Sequence, residues 1–445
     1  MKKFILLLAS SFVLWTLLYL SGCGARTGLP DPGEDPSLVI TDVQPRVIMP
    51  GTPFTVIGGT FNLTPGNNIL TIGATTVPVT AATSTTLTAT MPADFPSGEY
   101  TVSVAANGLT AKFEGTIKVI SVYVVGWEGN GAKYWKNTVA TDLITGANST
   151  KLVASDIFVN HKDVHIVGAN YSSDSLSRAV YWLNGAPTFL TSSEVYSYAH
   201  SVVVTPLGDI YVGGDYYNLS TTGKRLITYW KNGTKQTDIT DGSKYGWSSA
   251  MDASDTDVVI VGGNTGTTNP FAPAMYWING VPKPLSSSAN LGTTGWGIKL
   301  NGTDVYVAGE IVIDPVTGKT NPEYWLNGIG TTLSPSSASS PGRTFAYSIA
   351  TSGSDVYFGG SMWQDPSTVI GGYWKLGTTP FVNVTDPSNG QGFPLSIAVS
   401  GSDVFVVGGQ APNGGHTIAK LWINGLEYKL TDGTQVAFAA AIFIK

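Results

Sequence analysis

The chain has 445 residues, more than one ordinary core accommodates, so two or more domains are expected. Charged residues make up 12%, about half of the roughly 25% usual in soluble domains, and short β-branched and aromatic runs punctuated by Gly, Asn, Asp and Ser recur throughout, an all-β composition. A net charge of −6 without a basic cluster excludes nucleic acid as a partner, and a single cysteine, Cys23, excludes both an internal disulfide and a thiolate metal site.

The first 22 residues read as an address rather than as fold. Lys2 and Lys3 precede an apolar stretch from Phe4 to Leu20, and Leu20-Ser-Gly-Cys23 follows. That ending resembles the bacterial lipobox, which implies that Cys23 carries a lipid and begins the mature protein. Residues 23–36, rich in Gly, Pro and acid, then form a flexible tether. Because Gly24 is not the Asp that marks inner-membrane retention, an outer-membrane location is expected. The leaflet facing the protein stays open.

From residue 37 the pattern turns to short alternating segments, Leu38–Ile40, Phe54–Ile57, Ile69–Ile72, Thr86–Thr90 and Tyr100–Val104, separated by turn residues. Gly51 and Gly58 suit turns or close backbone approach, and Phe54, Val56 and Phe61 are candidate core residues. Val43-Gln-Pro45, Pro50-Gly51, Phe54-Thr-Val-Ile-Gly58, Met91-Pro92 and Gly98-Glu-Tyr-Thr-Val102 together resemble an IPT/TIG domain, an immunoglobulin-like sandwich, over residues 37–119. The resemblance implies a spacer or interaction module.

Residues 120–445 repeat themselves. Tyr134-Trp135, Tyr181-Trp182, Tyr229-Trp230, Tyr276-Trp277, Tyr324-Trp325, Tyr373-Trp374 and Leu421-Trp422 place tryptophans 47, 48, 47, 48, 49 and 48 residues apart. An apolar run ending at Gly126, Gly168, Gly214, Gly263, Gly309, Gly360 or Gly409 lies upstream of each. One unit reads as four strands, a to d, with a buried strand b and an Asn-Gly hairpin between c and d in five units. Six aspartates, Asp163, Asp209, Asp257, Asp304, Asp355 and Asp403, precede strand b and read as turn formers bonded to local backbone. The first unit lacks a strand a, while Ala439–Lys445 is a surplus one. Circular closure resolves both, which makes this an immunoglobulin-like sandwich followed by a seven-bladed β-propeller closed by the C-terminal strand. The layout resembles kelch propellers and the Tyr-Trp-x-Asn-Gly repeats of bacterial extracellular proteins. In kelch the Tyr and Trp are separated, so no kelch function is carried over.

Segments b–c and d–a vary in length and share one face, where recognition is expected. His200, Trp247, Trp296 and Tyr347 stand just before strand a, at the mouth of the central channel. They read either as rings on which sugars stack or as wedges between blades; Tyr196, Tyr198 and Tyr245 are weaker candidates. The repeated Trp is structural, since no ligand requires seven copies. His161-Lys-Asp-Val-His165 overlays a turn and a strand, so no metal is expected, and no cofactor is implied. Glu194, Glu310 and Asp215 fall in variable loops, where a glycosidase pair is conceivable but unassignable. The reading is a monomeric, lipid-anchored, non-catalytic binding or scaffold protein of the cell envelope that contacts a glycan or a protein. The alternatives are a carbohydrate-active hydrolase or lyase and a purely structural envelope protein.

Overall fold

A computed structural model describes residues 37–445 except 147–148, 173–175, 193–194, 218–222, 266–273, 287–291, 334–341, 366–367 and 379. Cys23, the leader, the tether and Glu194 lie outside the described residues. Among the described residues no helix is long and apolar enough to cross a membrane.

The sandwich packs two four-stranded sheets face to face. One joins Val39–Gln44, Pro53–Gly59, Thr86–Thr90 and Val79–Ala82, and the other Leu109–Lys112, Val102–Ala106, Ile69–Ile72 and Thr75–Val77. Alternation along these strands turns Phe54, Val56, Leu70, Ile72, Val102 and Val104 inward into one core, which Phe61 joins. At Gly58 an added methyl would overlap the Val39 carbonyl, so this position requires glycine.

Seven antiparallel four-stranded sheets follow among the described residues, and in blades 2 to 7 the strands keep sequence order. The inner strands are Ser149–Asn160, Ser197–Val204, Tyr245–Ala253, Thr293–Asn301, Arg343–Ser352 and Gln391–Ser400 in blades 2 to 7. Blade 1 receives its inner strand, Ala437–Ile444, from the end of the chain. That strand pairs with Val122–Glu128, Val122 opposite Ile444 and Val124 opposite Ile442. The ring therefore has no open edge.

Each strand b is buried on both faces, as in Val122–Val125, because blades stack face to face. The repeated tryptophans close the seams. Trp135, Trp182, Trp230 and Trp325 are fully buried, and each donates its indole N–H to a carbonyl of the preceding blade, Leu430, Ile144, Leu190 and Ser286 respectively. The Asn-Gly turns have the positive φ pair of a primed hairpin, 52° at Asn184 and 84° at Gly185. The turn aspartates do more than the sequence suggested. Asp163, Asp209, Asp257, Asp304 and Asp403 accept from the side-chain amides of Asn184, Asn232, Asn279, Asn327 and Asn424 at 2.9–3.0 Å. Each asparagine in turn accepts the N–H of the residue that follows its aspartate. The a–b turn is thus clasped to the c–d hairpin rather than folded on its own backbone.

The sandwich sits on this turn face. Lys118 Nζ reaches the Ser400 carbonyl at 2.8 Å and Asp403 at 3.0 Å, and Ser97 Oγ donates to the Lys445 carbonyl at 2.6 Å. Val47, Met49 and Ile120 share a core with Trp135, Phe405 and Ile442. The variable-loop face is the opposite one.

Candidate functional site: the channel mouth

Every inner strand carries a β-bulge at the same height. The residue skipped in the pairing is Ser155, His200, Ser249, Trp296, Tyr347 and Leu395 in blades 2 to 7, and Ala440 in blade 1. Opposite each bulge lies a strand-b glycine, Gly126, Gly168, Gly214, Gly262, Gly309, Gly360 or Gly408. A methyl on any of them would overlap a carbonyl oxygen of the bulged strand. In blades 4 and 7 the glycine in this role is the first of the Gly-Gly pair, not the second.

His200, Trp296 and Tyr347 therefore sit inside strand a, on its bulge, instead of before it as the sequence suggested. Trp247 is likewise inside strand a rather than before it, two residues ahead of the blade 4 bulge, with its indole over Gly263. All four side chains meet in one cavity of about 300 Å³, completed by Arg225, Ser248 and Ser249. Its walls come from four consecutive blades, 3 to 6. A second cavity of about 400 Å³ continues along the channel, lined by the inner strands of all seven blades. Below, Phe158 packs on Phe443, ring centroids 4.9 Å apart.

The position after the strand-b glycine separates the blades further. It is Trp127, Ala169, Gly263, Ser361 and Gly409 in five blades, but Asp215 in blade 3 and Glu310 in blade 5. Both acids lie within strands, Ile210–Tyr217 and Asp304–Asp314, which corrects their placement in variable loops. Strand b runs beyond the glycine.

Asp215 is fully buried and saturated. Arg225 Nε and Nη2 reach it at 2.6 and 2.8 Å, His200 Nε2 at 3.1 Å, and the Ser248 N–H and hydroxyl at 3.3 Å. Burial alone would raise its pKa, but His200 and Arg225 outweigh that and hold the carboxyl below its usual range. Glu310 accepts the Trp296 indole N–H and forms no ion pair among the described residues. Burial pushes its pKa up to about 7 against the opposing hydrogen bonds of Trp296 and Thr294. Burial likewise raises the Tyr347 phenol to about 12.

The rings are held by neighbours. His200 stacks on Tyr198 at 6.1 Å, Arg225 lies over that Tyr198 ring at 5.4 Å, Trp296 meets Tyr347 edge-on at 6.1 Å, and Phe345 stacks on Tyr347 at 5.5 Å. Tyr196 and Tyr245 both contact Tyr217, outside the set of residues lining the mouth. Arg225 and Ser249 were not legible as site residues: one sits in strand c, the other is an ordinary serine at a bulge. His161 occupies a turn at φ 51°, whereas His165 is buried in strand b with Nδ1 2.7 Å from the Tyr181 hydroxyl.

Similar solved structures include an auxiliary nutrient binding protein from Bacteroides thetaiotaomicron, 12% identical over 84% of this chain and 96% of that one, TM-score 0.29. A puromycin-hydrolyzing peptidase from Mycobacterium tuberculosis is 12% identical over 82% of this chain and 53% of its own, TM-score 0.45. The β-propeller domain of the Trilobed protease from Pyrococcus furiosus is 11% identical over 65% of this chain and 98% of that domain, TM-score 0.33. Likeness at this level assigns neither ligand nor activity. No curated protein matches the sequence. Over residues 38–119 the chain matches the IPT/TIG domain family, which identifies the sandwich.

Proposed function

We propose that this protein is a non-catalytic recognition protein of the bacterial cell envelope. In this reading Cys23 carries a lipid anchor in the outer membrane, the sandwich acts as spacer, and the monomeric propeller contacts a glycan or a protein with its channel mouth. One observation carries the reading. His200, Trp247, Trp296 and Tyr347, from four blades, converge on a single cavity at the face opposite the sandwich. A rigid ring with loops of changing length around a shaped, aromatic mouth is an arrangement suited to binding.

The test is to probe residues 24–445, free of lipid, against a glycan array while monitoring product release. Retention without turnover, lost when the four residues become Ala, supports the proposal. Retention unchanged in that variant overturns the site.

A second reading, a carbohydrate-active hydrolase, draws on Asp215 and Glu310, two carboxyls whose surroundings push their pKa values apart. Against it, neither lines the mouth cavity, and Asp215 is consumed by Arg225 and His200. Turnover abolished by Glu310→Gln would establish this reading instead.

A further inference from the structure

The chemistry of the mouth narrows its ligand, given the recognition role proposed above. In a repeat protein the departures from the repeat are informative, because the scaffold requires only what all blades share. Two positions recur beside the bulge in every blade, the bulged residue of strand a and the residue after the strand-b glycine. Blades 1, 2 and 7 fill them with Ala440 and Trp127, Ser155 and Ala169, Leu395 and Gly409. Blades 3 and 5 instead pair an N–H-bearing ring with a buried acid, His200 with Asp215 and Trp296 with Glu310. Ring closure does not need these pairs, since three blades close without them. Their effect is to fix the rings, which is how a binding site is preorganised.

Charge weighs against ionic ligands. Arg225 already spends two nitrogens on Asp215, so a ligand anion would compete with an internal carboxylate and approach Glu310 as well. A ligand cation would face the Arg225 guanidinium in the cavity wall. The remaining surface is aromatic, with one polar group left over. Ser249 borders both cavities, and its hydroxyl, turned away from solvent, has no hydrogen-bond partner among the described residues. A buried hydroxyl left unpaired is costly, and a ligand hydroxyl, both donor and acceptor, satisfies it. A volume of about 300 Å³ stands at the small end of ligand pockets. Walls from four successive blades bound the cavity, which stays open on its remaining side.

We propose that the mouth takes one neutral sugar ring, its C–H face against Trp296, its edge toward Tyr347, and a hydroxyl on Ser249, whose side chain turns toward the cavity to meet it. Asp215 and Glu310 are positioning residues that hold His200 and Trp296.

The experiment is calorimetric titration of the full chain with methyl glycosides of neutral hexoses, the matching methyl uronides and the matching amino sugars. The neutral glycosides are expected to bind, with the charged ones weaker by about tenfold or more. Ser249→Ala, the smallest change, is expected to weaken neutral binding about five- to tenfold, and Trp296→Ala to abolish it. Glu310→Gln keeps an acceptor for the indole and stays within about twofold, whereas Glu310→Ala loses about tenfold. Thermal midpoints of each variant separate lost binding from lost fold. A uronide or amino sugar bound more tightly, yet still lost in Trp296→Ala, overturns the neutral class and leaves the recognition mouth standing. Neutral binding unchanged in Ser249→Ala overturns the assigned pose. No sugar of any kind bound overturns the inference, and capture of a protein partner that survives Trp296→Ala overturns the mouth as well.

Discussion

His200 Nε2 lies 3.1 Å from Asp215 Oδ2, and the same carboxylate holds Arg225 through two shorter bonds. Asp215 is the more deeply buried partner, so removing it leaves a guanidinium enclosed without its counter-ion. Asp215→Ala is expected to cost on the order of 3–5 kcal/mol, read as a lowered urea midpoint. Arg225→Ala should cost a comparable amount for the mirror-image reason. A double variant well short of the sum would establish that the two act as one unit.

Glu310 sets a pH dependence with a definite sign. A glutamate in the unfolded chain releases its proton near 4.5, while in the fold burial delays release to about 7. Below 4.5 both states are protonated and this contribution is fully present. Between 4.5 and about 7 the folded state holds a proton that the unfolded state has lost, so stability falls as pH rises. Burial raises Asp156 to about 7 as well and adds a slope of the same sign. The diagnostic is therefore the difference between wild type and Glu310→Gln. The variant should recover on the order of 2–3 kcal/mol at pH 8 relative to pH 4.5, measured by denaturant unfolding across that range.

Ring closure predicts the behaviour of the final strand. Ending the chain at Val436 removes Ala437–Ile444 and bares the edge of Val122–Glu128. Loss of the cooperative transition and elution as aggregates in size exclusion are expected. Ile442→Asp, which places a charge in the core shared with Trp135 and Phe405, should cost about 3 kcal/mol or more in a thermal or urea melt.

The glycines that face the bulges should respond differently from those in turns. Gly309→Ala drives a methyl into the Thr294 carbonyl and must displace the Trp296 bulge, with an expected loss of about 3 kcal/mol. Gly185→Ala meets nothing within 4 Å and is strained only by its φ of 84°, so about 1 kcal/mol is expected. Denaturant midpoints of the two variants compare them directly.

Architecture was legible because it is written as period. The Tyr-Trp pairs, the glycine runs and the unmatched half-blades at each end of the repeat region require no side-chain detail. The mouth was legible as a set of residues but not as a place. A bulge belongs to the pairing of two strands, so no pattern within Ser197–Val204 announces that His200 is skipped. The signal was in the neighbour, where Gly214 is obligatory. Asp215 and Glu310 were misplaced because glycine was taken as the end of strand b, whereas the strand continues past it. The Asp–Asn clasps escaped a local reading for a related reason. Blade 6 has Asp355 but Leu376-Gly377 at the hairpin, and there the aspartate pairs with Lys375 at 2.7 Å instead. Each half of the clasp is a turn residue by itself; only the fold brings them together.

The contacts of Lys118 with Ser400 and Asp403, and of Ser97 with Lys445, route mechanical load. Tension applied at Leu38 passes through the sandwich into blades 7 and 1, where the propeller is fastened by strand pairing and a shared apolar core and not by covalent continuity. Pulling the molecule from that side therefore tests its zipper first, and rupture at that seam is the expected opening event in a force spectrometer.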